Sequence, residues 1–413
     1  MNASIKDYIT VTLNYWVFTF TDGALRIIVL LHFYKEGFSP FLIALLFLSY
    51  EFAGVFTNLI GGWLSTNYGI KRMLGVGLVI QSLGLVCLSV VNTAWGTVIA
   101  TVWILFCQGL CGVAKDFTKT ASKSAIKLTS DKLEGFESKD SRLFRWVAWF
   151  TGSKNAMKGI GFLGGGLLLT VFGFQNSLWL MVFLIVLIFI YTMARLPEMF
   201  GKKKASKTIK SFFSKNKVVN NLALIRIFLF GARDVWFVVA LPVFLYSSGW
   251  TFIQVSGLMA FWTIFYGFIQ AVTPKIIPES ESRVIGKRLR NWMFGLSVIP
   301  VILYFVVVSE TPFSVAYVIF GLFLFALLFA INSSFQSFLI VEYSSQDKTA
   351  EDIGFYYSAN AIGRFVGTLL SGYLFQLGGF SYALFGSALM LIIGWIISLR
   401  FRVQDSSPSK NCE

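Results

Sequence analysis

Twelve apolar stretches fill most of this chain, at 9–33, 41–66, 73–92, 95–118, 143–171, 177–196, 221–246, 251–272, 291–309, 313–342, 353–377 and 381–400. Each has about the 20 residues that an α-helix needs to cross a hydrocarbon layer ~30 Å thick. With 56% hydrophobic and only 13% charged residues, the composition is far from the roughly 25% charged residues of a soluble domain. The sequence therefore predicts an all-α membrane protein of twelve transmembrane helices. The first span begins within about eight residues of Met1, and no small-residue cleavage site follows a short apolar core, so it is expected to be retained.

The formal charge of +15 points to topology rather than to nucleic acid. With the N-terminus placed in the cytoplasm, 28 lysines and arginines fall on cytoplasmic segments and Lys35 alone falls outside. The positive-inside rule then predicts both termini in the cytoplasm, and the membrane is expected to be a bacterial inner membrane. The most basic stretch carries Lys202, Lys203, Lys204, Lys207, Lys210, Lys215 and Lys217, and it separates six spans from six. This reading gives a first bundle over 1–197, a linker over 198–220, a second bundle over 221–402 and a tail over 403–413.

The halves also echo each other in sequence. Asp22, Gly37, Phe38 and Ser39 stand 212 residues before Asp234, Gly249, Trp250 and Thr251, and the run Ser153 to Met157 reappears as Ser358 to Ile362. Two matched pairs in the same relative places favour an internal duplication. Six plus six helices, a basic central loop and parallel halves resemble the major facilitator superfamily. The run Gly62 to Gly69, with Lys71 and Arg72, resembles that superfamily's cytoplasmic gating motif. It departs from the motif at Thr66, where an acid is usual, and at Asn67, where a base is usual, so gating through that ion pair is not expected.

Several spans carry cations that hydrocarbon does not tolerate cheaply. An Arg or Lys at a helix centre costs roughly 2.5–3.5 kcal/mol on an insertion scale, so such residues face a bundle interior or a watery cavity. At ~1.5 Å per residue, Lys154, Arg233 and Arg364 lie roughly 17 Å from the inner surface, near the midplane. Lys158 is a turn further out, Arg26 lies toward the outer side, and Arg226 is near enough to the inner end to snorkel. Arg26, Lys154, Lys158, Arg233 and Arg364 outnumber the deep acids Asp22, Glu51 and Asp234, an excess that an anionic substrate would balance. Arginine can donate two parallel hydrogen bonds to an oxyanion, and lysine acts as a movable point charge. Arg233 and Arg364 are expected to clamp the anion, Lys154 and Lys158 to add charge, and Asn155 and Asn360 to donate hydrogen bonds.

The bland alternative is that these cations neutralise acids. Asp22 precedes Arg26 by four residues, the spacing of a same-face pair, whereas adjacent Arg233 and Asp234 are expected not to pair. Asp22, Glu51 and Asp234 are the candidates for carrying a coupling proton, because burial among apolar groups favours the protonated carboxyl. Lys115, Lys119, Lys123 and Lys127, spaced by four, form either a positive-inside anchor or a cytoplasmic vestibule that attracts anions. Tyr15, Trp16, Tyr50, Trp236, Trp262 and Tyr266 are placed to line a cavity, with ordinary packing favoured, and Asn14 joins Asn155 and Asn360 as a candidate donor to the substrate. His32 reads as an interfacial residue. Cys107 and Cys111 share a helix face, and the four cysteines match no metal spacing.

Three blocks narrow the resemblance: Asn14 to His32, Gly112 to Lys127, and Thr151 to Gly159. They resemble the organoarsenical efflux permeases of the major facilitator superfamily, the ArsJ type, through most of the first half; the second half matches mainly in arrangement. The resemblance implies export of 1-arseno-3-phosphoglycerate, which forms when glyceraldehyde-3-phosphate dehydrogenase accepts arsenate. Proton coupling is expected because the sequence has no nucleotide-binding motif to supply energy, and a monomer without cofactor is expected. A sugar-phosphate or organic-anion transporter of the same fold is the competing reading. An embedded enzyme is disfavoured, since the chain has one histidine, no nucleophile elbow and no phosphate loop.

The cation asymmetry makes a topological prediction. In intact cells, single cysteines at Lys203 and Lys287 should be shielded from an impermeant thiol reagent, while one at Gln175 should react. Labelling at Lys203 from outside would contradict cytoplasmic termini.

Overall fold

A computed structural model describes residues 3–131, 139–197, 217–276, 282–309, 314–343 and 349–399. Apart from one short 3₁₀ turn, the secondary structure of these residues is α-helical. The helices α1 (Ala3–Lys35), α2 (Pro40–Tyr68), α3 (Ile70–Ser89) and α4 (Thr97–Asp131) each cross once. Next, α5 (Lys139–Arg195) runs 57 residues and folds back at Gly173, where φ 72 and ψ −174 interrupt the helix. The seventh crossing is broken into α6 (Lys217–Phe237) and α7 (Ala240–Ser247). It is followed by α8 (Phe252–Ile276), α9 (Ser282–Val308), α10 (Ser314–Tyr343) and α11 (Thr349–Leu399). α11 folds back at Gly378 and Gly379 as α5 does at Gly173. The described residues thus make the twelve crossings that the apolar stretches predict.

Boundaries shift where polar residues can extend a helix beyond lipid. α4 continues to Asp131 and α9 starts at Ser282, because in water nothing in those segments breaks the helical hydrogen-bond ladder. α6 begins at Lys217, inside the expected linker. Residues 198–216 and the tail lie outside the described residues. The apolar stretch 221–246 predicts one unbroken seventh span, and the structure breaks it between α6 and α7. Pro242 has no amide hydrogen, and its ring crowds the carbonyl of Val238 four residues back, so a continuous helix is disfavoured. Ser371 Oγ on α11 instead accepts from Val239 N at 3.1 Å and Ala240 N at 3.0 Å.

The duplication seen in sequence has matching geometry. Gly37 ends α1 at φ 88, and Phe38 N donates back to Phe33 O at 2.9 Å. Gly249 ends α7 at φ 89, and Trp250 N donates to Leu245 O at 3.1 Å. In each case a glycine takes the left-handed position that a side chain resists, and the next amide caps a carbonyl near the helix end. The following helices are both capped: Ser39 Oγ accepts from Leu42 N, and Thr251 Oγ1 accepts from Gln254 N.

Each long helix packs on the first helix of its half, α5 on α1 and α11 on α6, and the halves meet along α2 with α11 and α5 with α8. Close approach at the halves' seam depends on missing side chains. A Cβ on Gly372 would lie 2.3 Å from Pro40 O, and one on Gly166 would lie 1.9 Å from Ser256 Oγ. Tyr34 Oη shares a hydrogen bond with Ser247 Oγ at 2.9 Å, and Phe41 N donates to Gln376 Oε1 at 3.2 Å. These contacts seal the face of the bundle at which α1 ends. Gly372→Leu should wedge that face apart. In a background without native cysteines, a cysteine at Phe41 should then react several-fold faster with an impermeant thiol reagent, and unchanged reactivity would argue against this seal.

Candidate functional site

The helix crossings that build each half also place its charges. A Cβ on Gly161 would lie 2.4 Å from Phe20 O, and one on Gly165 would lie 2.6 Å from Ala24 O. In the second half a Cβ on Gly363 would lie 2.4 Å from Ile227 O, and one on Gly367 would lie 2.5 Å from Gly231 O. Small residues four apart let two membrane helices touch backbone to backbone. Lys158, just before Gly161, is therefore held beside α1, and Arg364, next to Gly363, is held over α6.

At the level of these crossings, five charged side chains form a continuous ladder between the halves. Glu51 Oε1 on α2 accepts from Arg26 Nη2 on α1 at 2.6 Å and from Arg364 Nη2 on α11 at 2.5 Å. Arg364 Nε also donates to Asp234 Oδ2 on α6 at 3.2 Å. Arg233 closes the row with Nε and Nη2 at 2.6 and 2.5 Å from Asp234 Oδ1. Glu51 and Asp234 are each 1% exposed, so water screens these pairs little. Three guanidinium groups share two carboxylates, and Arg364 is the member that joins one half to the other.

Two expectations about local pairing need correction. Asp22 does not pair with Arg26; it accepts a hydrogen bond from the Tyr50 hydroxyl, and no ion pair to it occurs among the described residues. Tertiary packing brings Glu51 directly to Arg26 and overrides the weaker preference for a partner four residues away. Arg233 and Asp234 do pair, although they are adjacent. Their Cβ directions diverge by about 100°, but the long arginine side chain folds back across Phe230 and Phe329, with its guanidinium carbon 4.9 and 5.3 Å from the ring centroids.

A third correction concerns Arg226. It does not snorkel: it is 5% exposed, and its Nη1 donates to Ser333 O and Oγ at 3.2 and 3.1 Å. Phe230 one turn on lies under its guanidinium at 4.0 Å, and that i, i+4 spacing was the available signal that the side chain turns inward.

Lys158 makes no ion pair among the described residues. It lies 5.5 Å over the Phe162 ring, within electrostatic reach of Arg26, Arg364, Arg233 and Asp22. Lys154 is half-buried on the same helix, and Asn155 Nδ2 donates across the seam to Gln270 Oε1 at 3.4 Å. Asn360 is half-buried with its Oδ1 unpartnered. Lys115 Nζ sits 3.9 Å over the Tyr50 ring and 4.0 Å from Asp116, and Lys119 Nζ is 3.4 Å from Asp116. The side chains of Lys123, Lys127 and 62–68 lie outside the described residues. Trp236 is fully buried against Trp262 and Phe325, which is packing, and His32 stacks on Phe174 at 4.1 Å.

The arrangement is a mid-depth seam of cations between two repeated halves. The model of the Major Facilitator Superfamily matches residues 11–367, most of the chain. The chain belongs to the major facilitator superfamily. No curated protein matches its sequence. Among solved structures it is similar to a point mutant of the nucleoside transporter NupG, with a TM-score of 0.72 and 16% identity over 96% of this chain and 99% of that one. It is also similar to a D-xylose-proton symporter, with a TM-score of 0.72 and 12% identity over 97% of this chain and 98% of the other. At these identities the likeness shows the fold alone.

Arg364 is the residue whose loss should be felt most within the ladder. Arg364→Ala leaves Glu51 and Asp234 each with one partner, and breaking a buried pair costs about 3–5 kcal/mol. Arg233→Ala spares the link between halves and should cost less. Thermal unfolding of the two purified variants checks this; an equal or larger loss in Arg233→Ala would show that the ladder does not join the halves.

Proposed function

We propose that this major facilitator is a secondary active transporter that exports a small organic anion, 1-arseno-3-phosphoglycerate, and so confers arsenate resistance. The supporting observation is the seam itself, where Arg26, Arg233 and Arg364 share two carboxylates while Lys158 has no acidic partner among the described residues. The seam suits an oxyanion. A phosphate or arsenate offers guanidinium groups the same planar pair of acceptors that Glu51 and Asp234 offer. The three sequence blocks around Asp22, Lys115 and Lys154 favour the arsenate ester over other organic anions.

In this reading the incoming anion takes Arg364 from Glu51. Glu51 then keeps Arg26 alone, and the link between halves passes from protein to substrate. A ligand moves a two-state equilibrium only through unequal affinity for the two states, and a site made from both halves supplies that inequality. The halves, 1–197 and 221–402, rock about the seam, with the linker 198–220 and the tail 403–413 on the cytoplasmic side of a bacterial inner membrane. The transporter works as a monomer, and glyceraldehyde-3-phosphate dehydrogenase supplies its substrate.

The coupling proton is assigned to Asp22. Glu51 and Asp234 each hold two guanidinium groups, a role that a protonated carboxyl would give up, whereas Asp22 accepts only from Tyr50 among the described residues. Asp22→Asn should still exchange substrate across a membrane but lose uphill movement in response to a proton gradient. Uphill transport by Asp22→Asn at the unmodified rate would remove that role.

Inverted vesicles test the substrate. They should accumulate arsenic when given arsenate, NAD, glyceraldehyde 3-phosphate and the dehydrogenase together, and omission of any component should stop uptake. Arsenite should not be carried, being neutral near pH 7 and a ligand for thiolates. Equal uptake of arsenate alone would reassign the protein as a general oxyanion permease, and uptake of sugar phosphates in place of the arsenate ester would favour the competing organic-anion reading.

A further inference from the structure

Arg226 is a second buried guanidinium that the ladder does not use. It lies seven residues before Arg233 on α6, which at ~1.5 Å per residue is about 10 Å toward the N-terminal end of the helix. Ser333 on α10 takes its Nη1, the Phe230 and Tyr356 rings flank it at 4.0 and 4.9 Å, and its Nε has no partner. No acid pairs with it among the described residues.

The groups around it are polar and in part unspent. Gln270 Nε2 on α8 donates to Ser333 Oγ at 3.4 Å, and Gln270 Oε1 accepts from Asn155 of the other half. The Tyr356 hydroxyl is buried near Ser337 of α10 without a hydrogen bond of normal geometry, so it can donate to an added acceptor. Gln336, three residues after Ser333 and so on the same side of α10, has neither amide atom bonded. A buried cation without a counterion is costly, and so is each unmade hydrogen bond. An anion at Arg226 Nε would relieve both, accepting from Tyr356 as well.

We infer that Arg226, with Ser333, Gln270 and Tyr356, forms a second anion subsite, so that the transporter selects small ligands carrying two oxyanion groups at opposite ends. One end would occupy the seam at Arg233 and Arg364, the other Arg226. A ligand charged at one end would fill only the first subsite. Asn155, bonded to Gln270, connects occupancy of the second subsite to the half that carries Lys158. This inference rests on the anion reading of the seam and adds the ligand's second charge.

The test uses 3-phosphoglycerate, charged at both ends, and glycerol 3-phosphate, charged at one, titrated calorimetrically into the purified full chain. The unmodified protein should bind 3-phosphoglycerate at least tenfold more tightly. Arg226→Gln should abolish that preference while glycerol 3-phosphate binding stays within twofold. Arg226→Lys, which keeps the charge for folding but not the Nε edge, should reduce the preference several-fold and serves as the test if Arg226→Gln does not fold. Loss of preference in these variants alone supports the subsite. No preference in the unmodified protein, or an intact preference in the variants, overturns the subsite and leaves the anion reading standing. Failure of the folded protein to bind either ligand overturns both.

Discussion

One oxygen atom, Glu51 Oε1, holds the two halves of this transporter together at mid-depth by accepting from Arg26 in its own half and Arg364 in the other. Elsewhere the described seam is made of close glycine contacts, neutral hydrogen bonds and ring contacts such as Phe52 with Phe365 and Phe162 with Phe237, none of which strands a charge when it parts. A carboxylate buried between two guanidinium groups behaves differently. Removing one partner strands a charge, yet exchanging one carboxylate-like partner for another leaves the charge count almost unchanged. That asymmetry suits an alternating mechanism: the empty seam stays linked, and only a ligand with matching chemistry releases Arg364 cheaply.

The geometry that permits this exchange comes from hydrogens rather than charges. Because Gly161 and Gly165 let α5 touch α1, and Gly363 and Gly367 let α11 touch α6, Lys158 lies beside α1 and Arg364 reaches Asp234 on α6. Cβ atoms at these four positions would collide with backbone carbonyls. The charge ladder depends on those contacts for its register, and the fold repeats the device because both halves repeat the same unit.

Much of this was legible in the sequence. Spans of the right length, cations at mid-depth and the repeat of Asp22, Gly37, Phe38 and Ser39 pointed to the twelve crossings, the seam and the matched turns, because each is set by a local property: length, burial cost or a glycine's left-handed backbone. Pairing was less legible. Asp22 at four residues from Arg26 looked like its partner, but Glu51 lies 25 residues away in sequence and nearer in space. Arg233 and Arg226 were misread because rules of helix spacing describe Cβ directions, whereas a long arginine side chain can fold back over a ring. The broken seventh crossing had a visible cause in Pro242, whose effect depended on Ser371 of α11 being present to satisfy the freed amides.

The central claim is that an anion releases the seam by taking Arg364 from Glu51. Spin labels at Asn92 and Ser309, just beyond the ends of α3 and α9 at the sealed face, would report the separation of the halves by pulsed dipolar spectroscopy. Saturating 3-phosphoglycerate should add a longer-distance population in the unmodified protein, and Arg364→Ala should show no ligand-dependent change. A ligand-dependent change of the same size in Arg364→Ala, or none in the unmodified protein, would contradict the account.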